Sequence, residues 1–141
     1  MTLGTLFAIP KPFTSLSASS TGGATNVSHV TKDAPTLVWR STGTTGYLKA
    51  QQSGPWDTLA FLGTNLRATD TLRIRAGFSA SIVDGQFADL DMTINAYEGD
   101  PKRNAGGMTI LKLDELVEHP WVRVGAPAWW VTEQALNLLL L

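Results

Sequence analysis

Trp56-Asp57-Thr58-Leu59-Ala60-Phe61-Leu62, then Gly63-Thr64-Asn65-Leu66-Arg67-Ala68-Thr69-Asp70-Thr71, then Leu72-Arg73-Ile74-Arg75-Ala76 is the stretch that settles the fold class. The first run is almost wholly apolar and is bounded by Gly63, so it reads as a buried strand too short for a helix. The third run alternates with period two, which sets Leu72, Ile74 and Ala76 inward and Arg73 and Arg75 outward. A doubly covered strand, a turn and a half-buried strand within some twenty residues belong to a packed β-sandwich or barrel.

The same rhythm extends both ways. Thr36-Leu37-Val38-Trp39-Arg40 is β-branched and aromatic and ends in the turn residues Ser41-Thr42-Gly43-Thr44-Thr45-Gly46. Gly46-Tyr47-Leu48-Lys49-Ala50-Gln51 alternates and is closed by Ser53-Gly54-Pro55. Downstream, Ser81-Ile82-Val83, Met92–Tyr97, Met108–Leu113 and Trp121-Val122-Arg123-Val124 read as strands. Asp84-Gly85 is a turn dipeptide, and Glu98–Gly107 is an exposed loop of Gly, Asp, Pro, Lys, Arg and Asn. Asp114–Glu118 reads as one helical turn. Trp129–Leu141 reads as a short C-terminal helix, with Thr132 as its cap and Ala and Leu as good helix formers.

Residues 1–34 differ in composition. They are rich in Ser, Thr, Gly, Ala and Pro, and only Lys11, Lys32 and Asp33 carry charge. The expected organisation is an extended N-terminal arm or first edge strand over 1–34, followed by one β-sandwich domain over 35–141. Leu3, Leu6, Phe7 and Ile9 make the start of the arm too apolar to remain solvated alone, so they are candidate assembly contacts.

Composition narrows the function classes. The 141 residues carry a net charge of −1, and no cluster of Lys and Arg forms a phosphate-tracking groove, so nucleic acid is not an expected partner. Charged residues make up 16 % of the chain, against about 25 % in an average soluble domain; a surface this poor in charge suits extensive protein contacts. With no cysteine, disulfides, thiolate metal sites and a Cys nucleophile are all excluded. Met1–Pro10 lacks the basic region of a signal peptide, and Ala135–Leu141 is far shorter than the ~20 apolar residues of a membrane span, so no membrane insertion is expected.

No catalytic constellation is legible. His29 and His119 stand in no metal or triad spacing, and neither a phosphate-binding loop nor a nucleophile elbow is present. The expectation is a protein without enzymatic activity or cofactor. Asp84, Asp89 and Asp91 are the one group that offers oxygen ligands to Ca²⁺, but they lack the spacing of a calcium loop and read as solvated carboxylates. Of the five tryptophans, Trp39, Trp56 and Trp121 fall in strand patterns as packing residues. Trp129 and Trp130 follow Pro127 outside any alternating strand, and are candidate interface aromatics together with Leu138, Leu139, Leu140 and Leu141.

Ala18-Ser19-Ser20, Ala24-Thr25-Asn26-Val27, Val38-Trp39-Arg40-Ser41, the block Trp56–Leu66 and the block Ala68–Ala76 occur in an order that resembles discoidin-like, galactose-binding-type jelly rolls of siphophage and prophage tails. The resemblance spans about residues 18–77, and "FLGTNL" followed by "LRIRA" is its most specific part. It implies an all-β jelly-roll sandwich and a structural role in the virion, at the tail tip or baseplate, assembled in the host cytoplasm with other tail proteins and as a ring-like homo-oligomer. It also implies that Trp39, Arg40, Gly63 and Asn65 are architectural. Family members run on to a returning strand after the Trp-Val-Arg-Val type strand, whereas this chain ends in leucines. Either that strand is absent or a neighbouring protein supplies it, and an open edge then favours lateral assembly.

Two other functions fit the same fold. One is a carbohydrate-binding module for host surface glycans, marked by a loop-end cluster of aromatic and polar residues, for which Tyr47, Trp56, Tyr97, Arg103 and Asn104 are the candidates. The other is a capsid decoration or neck protein. Fold alone does not separate them.

Overall fold

The computed structural model describes residues 13–22, 26–31, 39–42, 46–62, 64, 66–97 and 108–125, and the backbone of 126 and 135–140. The described strands are β1 (Phe13–Ala18), β2 (Trp39–Arg40), β3 (Gly46–Gln52), β4 (Trp56–Leu62), β5 (Thr71–Gly77), β6 (Leu90–Asn95), β7 (Met108–Val117), β8 (Trp121–Ala126) and β9 (Ala135–Leu140). One short helix, α1 (Ala80–Asp84), and a 3₁₀ turn, Val27–Thr31, complete them. Two antiparallel sheets face each other, in the orders β1-β3-β8-β5-β6 and β2-β9-β4-β7. Of the sandwich and barrel that the strand rhythm allows, this is the sandwich, in the jelly-roll form that the resemblance implies.

The alternation of β3, β5 and β8 explains the core. Leu48, Ala50, Leu72, Ile74, Ala76, Val122 and Val124 line the inner face of the five-stranded sheet, and Trp39, Trp56, Leu59, Phe61 and Leu111 meet them from the other. β4 is buried along most of its length, as its apolar run required. Polar groups that enter this interior are paired. The Trp39 indole N–H donates to Ser20 O at 2.9 Å, and the buried Thr109 hydroxyl donates to Ala96 O. Between β4 and β5, buried Asp70 accepts from Arg67 N at 2.7 Å and from Arg67 Nη2 at 2.9 Å. The β3–β4 turn needs a left-handed residue, and Gly54 supplies it at φ 81°.

Several local expectations are corrected. Ser81-Ile82-Val83 lies in α1 rather than a strand, because Ser79 caps a helical turn there and accepts from Ile82 N at 3.3 Å. Asp114–Val117 continues β7, with Val117 returning to pair with Trp56 after an irregularity. The C-terminal helix is replaced at Ala135–Leu140 by β9, which pairs with β2 on one side and β4 on the other. Leu138, Leu139 and Leu140 stand opposite Phe61, Ala60 and Leu59. The chain therefore supplies its own returning strand, and the edge expected to lie open there is closed. Helix propensity of Ala and Leu is a weak prior that a waiting sheet edge overrides.

The segment 13–18 of the expected arm is an edge strand on β3. Leu3, Leu6, Phe7, Ile9, Gly63, Asn65, Arg103, Asn104, Trp129, Trp130 and Leu141 lie outside the described residues.

Candidate functional site

Strand directions bring three connections to one end of the sandwich: the β3–β4 turn, the β5–β6 connection carrying α1, and the β7–β8 turn. The large apolar side chains that stay exposed among the described residues all fall in these segments or beside them: Phe78 (62 % exposed), Phe87 (80 %) and Leu116 (63 %). Exposed aromatics concentrated at one end mark a recognition surface more strongly than scattered ones.

Local chemistry fixes this end. Gly77 carries no side chain, so α1 lies directly on β5; a Cβ at Gly77 would come within 2.5 Å of Ile82 Cγ2. Beneath the helix, Arg75 Nη1 donates to Val83 O at 2.7 Å and Nη2 donates to Gly85 O at 2.6 Å, satisfying carbonyls at the helix C-terminus. Arg75 does point away from the core, as the alternation required, but α1 covers it and it is buried. On the other flank Asp84 accepts from Lys49 Nζ at 2.6 Å and from Arg123 Nη1 at 3.1 Å. The Lys49 hydrogen bond is the main cause holding the Asp84 carboxyl below its ordinary value, with Arg123 adding to it.

Held this way, α1 fixes Phe78 on one side and Asp89 on the other. The β7–β8 turn is fixed from below. The Trp56 indole N–H donates to His119 O at 3.2 Å, and Gln52 N donates to Pro120 O at 3.0 Å. His119 thereby stands edge-on to Phe78, with ring centroids 4.4 Å apart, and its Nε2 lies 3.6 Å from Asp89 Oδ2. The assembled feature is an open aromatic face beside a carboxylate and an imidazole. That combination can stack an apolar ring face and hydrogen-bond polar groups at its rim.

The outer face of the five-stranded sheet forms a second polar region. Arg73 binds Asp91 through Nε at 2.8 Å and Nη2 at 2.6 Å, and the Arg73 hydrogen bond chiefly lowers the Asp91 pKa. The Arg123 guanidinium carbon lies 3.9 Å from the centroid of the Tyr47 ring.

The residues singled out in the sequence are dispersed. Tyr47 is half-buried on the sheet face, at the opposite end of β3 from the Phe78 cluster, and Tyr97 packs against the core. Trp56 is 1 % exposed, so no face of its ring is open to a ligand, and its part is to position His119. Trp39 is buried and Arg40 is exposed beside it. Asp84 and Asp91 are engaged by cations, and Asp89 faces His119. Among the described residues no three His, Cys, Asp or Glu side chains gather as a metal site. Sequence reading missed Phe78 and Phe87, and took Asp89 only as one of three solvated loop carboxylates rather than as the neighbour of His119. The available signal was their setting, with both aromatics out of strand phase among Ser, Gly and Ala.

The fold is that of a galactose-binding-like jelly-roll β-sandwich. No family model matches the sequence, and no curated protein matches it. Solved structures do resemble it. Chitosan-binding module 1 of a chitosanase/glucanase from Paenibacillus sp. IK-5 is 14 % identical, with 90 % of this chain and 93 % of that chain covered and a TM-score of 0.61. The CBM32 module of AlyQ, in complex with 4,5-unsaturated mannuronic acid, is 11 % identical, with coverage of 95 % and 98 % and a TM-score of 0.63. Reduced XRCC1 bound to the DNA pol beta catalytic domain is 14 % identical, with coverage of 94 % and 98 % and a TM-score of 0.65. At these identities the likeness establishes the fold alone. It supports the galactose-binding-like part of the sequence resemblance and gives no support to a phage tail.

Proposed function

We propose that this chain is a non-catalytic carbohydrate-binding module that reads glycans through the end of the sandwich bearing Phe78. The observation that carries the reading is the exposed Phe78 ring, 4.4 Å from His119, with Asp89 3.6 Å from the same imidazole. A pyranose presents an apolar C–H face and a polar hydroxyl rim. Phe78 suits the face, while Asp89 and His119 suit the rim. The likeness to a chitosan-binding module and to a CBM32 module favours the same ligand class.

A glycan array with the full chain and with Phe78→Ala tests this. Binding to a defined set of saccharides should weaken about tenfold in the variant, the equivalent of ~1.4 kcal/mol, with an unchanged melting temperature. An array without binding, or equal binding by both proteins, refutes it.

A second reading keeps the module in a virion tail, as the sequence resemblance implies, with other tail proteins and further copies of the chain as partners. Exposure of Phe78, Phe87 and Leu116 at one end favours it, because low charge and clustered apolar side chains suit assembly. Antibody labelling of virions, with the mass of the purified protein in solution, tests it. Labelling at the tail and a discrete oligomer support it; a monomer absent from virions overturns it.

A further inference from the structure

The two ring nitrogens of His119 stand in different surroundings. Nε2 faces Asp89, 3.6 Å from Oδ2 and beyond hydrogen-bond range. Nδ1 is buried and has no hydrogen-bond partner. The backbone here is pinned, since His119 O accepts from the Trp56 indole N–H and Pro120 O accepts from Gln52 N. The movable part is therefore the imidazole itself. Phe78 is largely exposed, and among the described residues the imidazole is the only ring that lies against it, with centroids 4.4 Å apart.

A neutral imidazole fits this seat. It carries one proton, placed on Nε2 towards the carboxylate, and Nδ1 keeps its lone pair. Protonation adds an N–H at Nδ1, buried, on a cation, with no acceptor in reach. Such a group costs more than an ordinary missing hydrogen bond because it is charged. The return is small, for Asp89 is too far to accept a hydrogen bond and both partners are partly open to water, which screens the pair. No other charge alters the balance. Of the elements packed on the β7–β8 turn, β3 brings Gln52, β4 brings Trp56, and the β5–β6 connection brings Phe78 and Asp89, of which Asp89 alone is charged. Asp84 of α1 is taken up by Lys49 and Arg123, and Glu118, next to His119 in the chain, is exposed. A charged ring is better hydrated outside the seat, and imidazole is the side chain that charges between about pH 5 and 8.

We infer that His119 is a proton-operated latch on the recognition end. Neutral, it holds Phe78 in the saccharide-binding position; protonated, it leaves its seat and releases Phe78, so glycan binding falls as the solution is acidified. The effect on binding rests on the proposed glycan reading of this end, whereas the movement of the ring does not.

Aromatic nuclear Overhauser spectra of the full chain without ligand test the latch, and titration at pH 7.5 and 5.5 with a saccharide retained on the array tests its effect. At pH 7.5 a cross-peak should join the Phe78 and His119 rings. At pH 5.5, with the imidazole charged and circular dichroism unchanged, that cross-peak should be lost. Affinity should then fall about fivefold, as when the competent state drops to roughly a fifth of the population. Asp89→Asn should lose the cross-peak on acidification as the parent does, since the cost lies at Nδ1. A cross-peak kept by the charged imidazole, an imidazole still neutral at pH 5.5, or a cross-peak that Asp89→Asn preserves overturns the latch. Loss of the cross-peak in a protein that binds no saccharide at either pH upholds the latch while the glycan reading falls. Saccharide binding that needs Phe78 but is equal at both pH values leaves the glycan reading standing and overturns the latch.

Discussion

Replacing Gly77 by alanine isolates the contact on which the recognition end is built. The added Cβ would stand 2.5 Å from Ile82 Cγ2 and 3.0 Å from Ile82 Cβ. Ordinary carbon contact begins near 3.5 Å, so α1 must lift by about 1 Å or the Ile82 side chain must leave its rotamer. Overpacking of this kind costs about 1–3 kcal/mol, offset by roughly 0.4–1 kcal/mol from a less flexible unfolded chain. The net loss should be about 1–2 kcal/mol, or roughly 3–8 °C in melting temperature for a domain of this size. The informative assay is a double-mutant cycle by urea unfolding. Ile82→Ala alone costs some burial, but Gly77→Ala added to it should cost less than about 0.5 kcal/mol, giving a coupling near 1 kcal/mol or more. Additive losses, or a Gly77→Ala variant as stable as the parent, would refute the packing argument.

Arg75→Ala should destabilise by about 2–4 kcal/mol, since it strips partners from the carbonyls of Val83 and Gly85 and removes a buried charge beside Asp91; urea unfolding measures it. Acid should destabilise the fold with a definite sign. Asp84 and Asp91 have folded pKa values below 3.8, so below that pH the unfolded state holds more protons than the folded one. Their stabilising contribution is complete above about pH 5 and is lost as pH falls through 3.8 towards the lowered folded values. Unfolding curves between pH 7 and 2.5 should show this loss, and Asp84→Asn with Asp91→Asn should flatten it. Deleting residues 135–141 should abolish cooperative unfolding rather than merely weaken assembly, because β9 lies inside its sheet between β2 and β4; circular dichroism with thermal melting decides.

Strands whose two faces differ were readable in the sequence. Leu72-Arg73-Ile74-Arg75-Ala76 and Tyr47-Leu48-Lys49-Ala50 declare their inner faces by alternation, and the buried run Trp56–Leu62 declares a central strand by its lack of polar residues. What remained hidden depended on partners distant in sequence. Ala135–Leu140 has helical propensity and becomes a strand because β2 and β4 flank a vacant position. Arg75 carries the outward phase of its strand, yet α1 buries it, and nothing within the pentapeptide signals that cover. The recognition end was the least legible. Phe78, Asp89 and His119 are far apart in sequence and meet only through the β5–β8 register, while Trp56, an apparent ligand aromatic, is drawn into the core by the pairing of β4 with β7.

Backbone amide chemical-shift mapping by NMR during titration with a saccharide retained on the array locates binding directly. The carbohydrate-binding account expects the largest shifts at Phe78, Phe87–Asp89, His119 and Trp121, absent in Phe78→Ala. Shifts confined to residues remote from that end, or no shifts at saturating saccharide, would contradict it.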